Sequence, residues 1–347
     1  MDSMENIMKI YYIVESITGS KGNGIAQQAL TWSRILSKYT DIKTILVNSW
    51  DEYTYQEGDV VHLFGSSGVW FYDVANQMKE KGCKVVWSPI CDNVDSPKIQ
   101  RMKTFIGNKR LQLFSYPMIR KQTYDIVDKV FVRSRYEMEY IKSAYGIGDS
   151  QMVVVPLSMS YEDNIPIFSA SRENFCLHIS SISQERKNVL RLVKASKKYN
   201  FRLILAGNKG SDTEYQRIGK EIIGARNIEV LGYISEEEKR ELYQKAKVFA
   251  LPSIKEGVGI VALDAAHYGC EIVITKQGGP KEYFGDLSYQ VDPYDIDSIG
   301  KSIILAMEGT NQPELSEWVN KHYSQPVIAF CLAQVYHELI FFQPKDH

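Results

Sequence analysis

Two doubly wound α/β domains are what this sequence predicts, on three observations. Short apolar runs rich in β-branched and aromatic residues alternate with stretches of helical periodicity along the whole chain. The alternation breaks once, at Leu157–Ser171, where Pro156 and Pro166 punctuate a stretch of little periodicity. The length, 347 residues, is too great for one small domain, and the break divides it into halves of similar size.

The first half opens on Lys9–Val14, an apolar run of β-formers. Gly22-Asn23-Gly24 follows as a loop, and Ile25, Ala29, Trp32 and Leu36 then recur at helical spacing. Further strands are expected at Thr44–Val47, Val60–Phe64, Lys84–Trp87 and Val130–Val132, with helices between most of them. Gln151–Pro156 closes this half. In the second half the strands are expected at Phe175–Ile179, Arg202–Ala206, Ile228–Leu231, Val248–Leu251 and Glu271–Thr275. Ser324-Gln325-Pro326 introduces a last helix, a cap followed by Pro in the first turn, and Ile328, Leu332, Val335 and Leu339 form its apolar face. The boundary is set after residue 163, giving domains 1–163 and 164–324. Two such βαβ halves imply Rossmann-like domains facing a central cleft, with ligands outside the carboxyl ends of the strands.

Composition narrows the function. A net charge of −1 gives no global reason to expect nucleic-acid binding. The five cysteines are scattered without a Cys-x-x-Cys pair, which fits reduced thiols in a cytoplasmic protein. Met1–Asn6 is polar and acidic, unlike a signal sequence, and Val327–Phe342, the most apolar run, is short for a membrane span and carries Gln334, His337 and Glu338. No His/Cys cluster at ligand spacing is present, and neither a metal nor a cofactor is expected.

The densest signal is Pro252–Ala265. A buried strand leads into a loop with Glu256, then Gly257-Val258-Gly259, then a helix opening at Ile260 and Val261, and a second acid, Asp264, eight residues after the first. Glycines let the backbone approach a ligand, a helix N-terminus offers free N–H groups to phosphate, and carboxylates accept hydrogen bonds from sugar hydroxyls. A nucleotide-sugar carries all of those groups.

With these residues placed, the chain resembles the retaining GT-B glycosyltransferases of family 4, which carry a Glu-x7-Glu motif. The specific part is Asn227–Asp292, including AKVFALPSIKEGVGIVALDAAHYGCEIVITKQGGPKEYF; GDVVHLFG, VFVRSRYEMEYIKSAYGI and VVVPLSMS follow the family's order in the first half. The resemblance implies transfer of a hexosyl unit, with retention, from a UDP- or GDP-linked sugar to a glycan or lipid-linked acceptor in cell-surface polysaccharide synthesis. It implies that the helix 325–347 packs back on the first domain.

It also assigns residues. Glu256 is expected at the donor sugar and Asp264, one methylene shorter than the usual Glu, at the ribose. Ile260 and Val261 are expected to aim N–H groups at the diphosphate, beside Gly257, Val258 and Gly259. Lys187 matches a diphosphate-binding Lys; the family's Arg partner is Ser181 here, which replaces bidentate charged hydrogen bonds by one neutral bond. Gly22, Asn23 and Gly24 match a loop over the donor, and Gly279 with Gly278 and Glu282 a second glycine loop near the sugar. Many relatives carry a His after the strand matching Lys84–Trp87; none is present, and His62 reads either as a residue facing the cleft or as a core histidine. Each assigned acid also has a plain reading, as a solvated loop or helix-surface acid. A catalytically silent nucleotide-sugar-binding partner, or an epimerase or hydrolase of nucleotide-sugars, stands as the alternative.

Residues 98–121 hold seven basic side chains and no acid, interleaved with Phe105, Leu111, Leu113, Phe114 and Tyr116. The pattern reads either as contact with anionic membrane at the inner face or as a solvated basic surface.

Overall fold

Buried apolar runs of about five residues become parallel strands covered by helices on both faces, the arrangement such runs require. The computed structural model of the chain describes residues 9–14, 24–48, 50–65, 68–91, 95–108, 113–162, 172–209 and 213–341. Gly22 and Asn23 of the expected N-terminal loop lie outside the described residues, as do Lys109, Arg110 and Leu111 of the basic segment. Two compact units are present, Met1–Leu157 with Gln325–His347, and Ser158–Ser324.

The boundary lies six residues before the expected position. Val155 N–H still bonds Val132 O and so extends the first sheet, whereas Met159 N–H bonds Tyr323 O within the second unit. The change of unit thus falls at the start of the proline-marked stretch Leu157–Ser171.

The first unit runs β1 (Ile10–Val14), α1 (Gly24–Tyr39), β2 (Thr44–Leu46), β3 (Val60–Phe64), α2 (Val69–Glu80), β4 (Lys84–Ser88), α3 (Pro97–Lys103), β5 (Gly107–Asn108), β6 (Leu113–Phe114), α4 (Tyr116–Ile126), β7 (Lys129–Val132), α5 (Arg135–Tyr145) and β8 (Met152–Val154). Its parallel sheet has the order β2-β1-β3-β4-β7-β8, and β5 with β6 forms a separate antiparallel pair. Ser96, Ser115 and Ser134 cap α3, α4 and α5, each accepting the N–H three residues on, and Pro97 and Pro117 stand in first turns where no N–H is needed.

The second unit runs β9 (Glu173–Ile179), α6 (Val189–Tyr199), β10 (Leu203–Ala206), α7 (Thr213–Ile222), β11 (Ile228–Gly232), α8 (Glu236–Lys245), β12 (Ala246–Leu251), α9 (Ile260–His267), β13 (Glu271–Thr275), α10 (Pro280–Phe284), β14 (Tyr289–Val291), α11 (Ile296–Met307) and α12 (Glu314–Tyr323). Its sheet is parallel throughout, in the order β11-β10-β9-β12-β13-β14. The chain builds outward from β9 to β11 and then returns to place β12 on the other side of β9. That reversal is a topological switch point, where open α/β sheets leave a crevice at the carboxyl ends of the strands. Ser235 and Glu238 close a capping box at α8, worth about 1 kcal/mol.

The last helix, α13 (Gln325–Phe341), belongs with the first unit. Tyr336 Oη lies 2.8 Å from Tyr12 Oη and 2.6 Å from His62 Nδ1, and His62 Nε2 lies 2.8 Å from Ser88 Oγ. Burial holds the His62 pKa well below its ordinary value. Of its two readings, His62 is thus the core histidine, with both ring nitrogens paired.

Candidate functional site

At the switch point of the second unit, two loops are laced together by groups that have no choice of partner. After β9 the chain makes a helical turn over Glu185–Lys187 and reaches Asn188 in the left-handed region, φ 61°. The buried Asn188 amide donates to Pro252 O at 2.8 Å and Pro293 O at 2.6 Å. Ile254 N–H donates to Arg186 O at 2.8 Å. Lys187, from the loop after β9, is thereby brought to Glu256, from the loop after β12.

Lys187 Nζ donates to Glu256 Oε2 at 2.8 Å, and Ser253 Oγ donates to the same oxygen at 2.9 Å. Among the described residues nothing donates to Oε1. Glu256 is 8% exposed. A buried ion pair of this kind keeps its charges only with further hydrogen bonds, and Ser253 supplies one.

The Glu256 loop is held from its other side by the second glycine loop. Glu256 N–H donates to Gln277 O at 3.1 Å, and Gly279 N–H donates to Glu256 O at 3.2 Å. Gly278 has φ +111°, and a Cβ there would stand 1.8 Å from Glu256 O, so only glycine fits. Gly279 N–H is therefore committed to the protein backbone.

Gly259 precedes α9 with φ 86°. Val258 is buried, so that only its backbone lies on the turn. The bonds of α9 to Gly259 O begin with Ala262 and Leu263, which leaves Ile260 and Val261 in the first turn, where N–H groups have no intrahelical partner. The positive end of the helix thus faces the turn after Glu256. Ser181 is half-buried at the carboxyl end of β9, and its hydroxyl has no partner among the described residues. Gly24, exposed, is the first residue of α1 in the other unit.

Asp264 is placed differently from Glu256. One turn into α9 and buried, its Oδ1 accepts Ser160 N–H at 2.7 Å. Burial pushes its pKa up to about 6 against the lowering effect of the Ser160 bonds. Next to it Tyr161 Oη donates to Glu236 Oε2 at 2.6 Å. The structure brings Glu256 and Lys187 together, and ties Asp264 to the segment that enters the unit.

Three contributors went unnoticed in the sequence. His178 lies under the cluster on β9, its Nδ1 2.7 Å from Ala250 O and its Nε2 2.7 Å from Ser180 Oγ. Burial, then the Lys187 charge, hold its pKa at about 4 against the raising effect of the Ala250 bond. A neutral ring facing a carbonyl carries its proton on Nδ1, so Ser180 donates to Nε2. The one signal was an ionisable ring inside an apolar strand. Ser253 gave none, because its partner is set by the loop's fold. Lys209 stands at the carboxyl end of β10 with its stem against Gly232, a second cation on the same edge of the sheet.

A separate cavity of about 760 Å³ opens at the opposite edge, lined among others by Arg172, Arg202, Lys247 and Gln312. It lies where β9, β10 and β12 begin, away from every residue above. Arg172 there is spent on the carbonyls of Tyr243, Ala246 and Tyr268.

Comparison with known proteins covers the same region of the chain. The family model described as glycosyl transferases group 1 matches residues 160–324. The O-antigen chain mannosyltransferase B of Escherichia coli is 26% identical over 236 residues, 65% of this chain and 55% of that protein. An uncharacterised glycosyltransferase of Methanocaldococcus jannaschii is 28% identical over 135 residues, 36% of this chain and 34% of that protein. The chain thus spans about half the length of the first of these relatives, and about a third of the second. Among solved structures, a glycosyltransferase from Rickettsia africae superposes with a TM-score of 0.68 at 15% identity, covering 97% of this chain and 99% of that one. Anabaena HepE in complex with UDP superposes with a TM-score of 0.69 at 14% identity, covering 94% and 99%. At such identities the structural likeness speaks for the fold. The chain therefore has the GT-B fold, and its second unit is matched by the family model of group 1 glycosyl transferases.

Proposed function

We propose that this protein is a retaining, metal-independent glycosyltransferase that moves a hexosyl unit from a nucleotide diphosphate-sugar to a glycan or glycolipid acceptor. The observation that carries the reading is the Lys187–Glu256 pair at the switch point, beside the N-terminus of α9. A diphosphate needs positive charge and N–H donors; Lys187 and the first turn at Ile260 and Val261 supply both. A sugar needs acceptors for its hydroxyls, and Glu256 Oε1 is open to them. The similarity to an O-antigen mannosyltransferase supports a role in polysaccharide synthesis, and the likeness to a UDP complex supports a nucleotide donor.

In the proposed step the bond from the anomeric carbon to the diphosphate breaks, and its electron pair leaves on the phosphate oxygen. Lys187 and the helix N-terminus stabilise that charge. Glu256 faces the positive charge that develops on the sugar. The acceptor hydroxyl bonds to the anomeric carbon on the face the diphosphate leaves, and its proton passes to the departing phosphate. Ser180, Ser181 and Lys209 line the diphosphate side. Asp264, with Ser160, is assigned to the ribose side, and Gly22, Asn23 and Gly24, with the acceptor, to the first unit.

Glu256→Gln tests the assignment. The amide keeps the shape, removes the charge, and releases Lys187 from its ion pair. Release of nucleoside diphosphate from UDP- and GDP-hexoses, with a lipid-linked glycan extract as acceptor, is expected to fall at least about a hundredfold. Affinity for the nucleoside diphosphate is expected to hold or rise. An unchanged rate in the variant contradicts the assignment, and turnover indifferent to acceptor favours a hydrolase or epimerase.

A further inference from the structure

We infer that α3, β5, β6 and the start of α4 form a surface that docks the first unit on an anionic lipid bilayer. Phe105 is 81% exposed, Met102 71%, Ile106 61% and Leu113 60%, with Ile99, Phe114 and Tyr116 also exposed. Large apolar side chains scattered singly on a surface are ordinary; this many within one short stretch mark a contact site.

The segment is built, not slack. On its inner side the Gln100 amide donates to Tyr145 Oη at 2.8 Å, and Ser115 Oγ donates to Lys103 O at 3.1 Å. A Cβ at Gly107 would stand 2.3 Å from Met118 Sδ, so the β5–β6 pair sits directly on α4. The apolar side chains are thus held outward by a structure anchored beneath them.

Charge selects the partner. The seven basic residues expected to form one face do not all do so. Arg120 is buried, donates to Pro89 O at 2.9 Å and lies over the Trp87 and Tyr145 rings; Lys103 pairs with Asp95, and Lys121 with Asp125. Lys98 and Arg101 remain exposed on α3, beside Ile99 and Met102. No acid occurs between residues 98 and 121. Apolar side chains interleaved with the exposed cations Lys98 and Arg101 satisfy the two-signal rule for interfacial anchoring, in which insertion and attraction to anionic headgroups act together. A second copy of this surface would bring like charges together.

Flotation of the full chain with phosphatidylcholine–phosphatidylglycerol vesicles at low salt tests the inference. Wild type is expected to float with these vesicles and to stay behind with phosphatidylcholine alone. Phe105→Ser with Leu113→Ser, and separately Lys98→Glu with Arg101→Glu, are expected to cut the bound fraction at least about tenfold. All four side chains are exposed, so an unchanged melting temperature and circular dichroism spectrum report an intact fold. No enrichment of wild type on the anionic vesicles overturns the inference. So does equal flotation of the variants, or a dimer that the serine variant dissolves. The readout is independent of nucleotide binding and turnover, so the donor-site reading stands or falls apart from it.

Discussion

Asp264 is a carboxyl whose surroundings oppose its charge. Its pKa stands at about 6 in the folded chain, above the ordinary 3.8, because burial outweighs the Ser160 hydrogen bonds. A raised carboxyl pKa means that the protonated form folds better. This stability is fully present below pH about 4 and is lost as pH rises through about 6. A rise of about two units corresponds to about 3 kcal/mol. Asp264→Asn keeps an acceptor for Ser160 N–H and cannot ionise. The variant is expected to match wild type in melting temperature near pH 4 and to exceed it near pH 7.5. A variant no more stable than wild type at the higher pH contradicts this account of the residue. Glu256 and Asp264, equivalent acids in the sequence, are separated by environment: one holds a lysine at the mouth of the sheet, the other a backbone N–H beneath it.

Helix α13 shows what a single element contributes. Its Tyr336 joins Tyr12 on β1 and His62 on β3, neighbouring strands that face each other in register. Tyr336→Phe leaves two buried polar groups without their shared partner, at a cost of about 2–3 kcal/mol. Chemical denaturation followed by far-ultraviolet circular dichroism is expected to register that loss, and an unchanged midpoint contradicts the role of the network. Elements of this kind divide what was legible in the sequence from what was not. Strands β1, β3, β4, β10, β12 and β13 are buried apolar runs, and composition alone marks them. Strand β14 was missed because it is three residues long and mixed in character, Tyr289 and Gln290 being half-exposed and Val291 buried. The β5–β6 pair was missed because two-residue strands leave no periodic pattern and their apolar side chains face outward. In the candidate site, Glu256 and the glycines were visible through their spacing, and Lys187 through the family resemblance. His178, Ser253 and the brace at Gly278 were not, because each is defined by a partner from a different loop, and such pairings exist only after the sheet has formed.

For the molecule as a whole, two parallel sheets are assembled from one alternating pattern, and the chain returns to its first unit for the last helix. The proposed donor site lies in the second unit, the region matched by the glycosyltransferase family model. An apolar, basic surface lies on the first unit. That division suits the transfer proposed above, from a nucleotide-sugar to an acceptor held at a membrane. The central claim is that the crevice after β9 and β12 binds a nucleoside diphosphate through Lys187. Isothermal titration of UDP and GDP against wild type and Lys187→Ala tests it most directly. One of the two nucleotides is expected to bind wild type, and to bind the alanine variant about 10- to 100-fold more weakly, the range for loss of a charged hydrogen bond. Binding of neither nucleotide to wild type, or equal affinity in the variant, contradicts it.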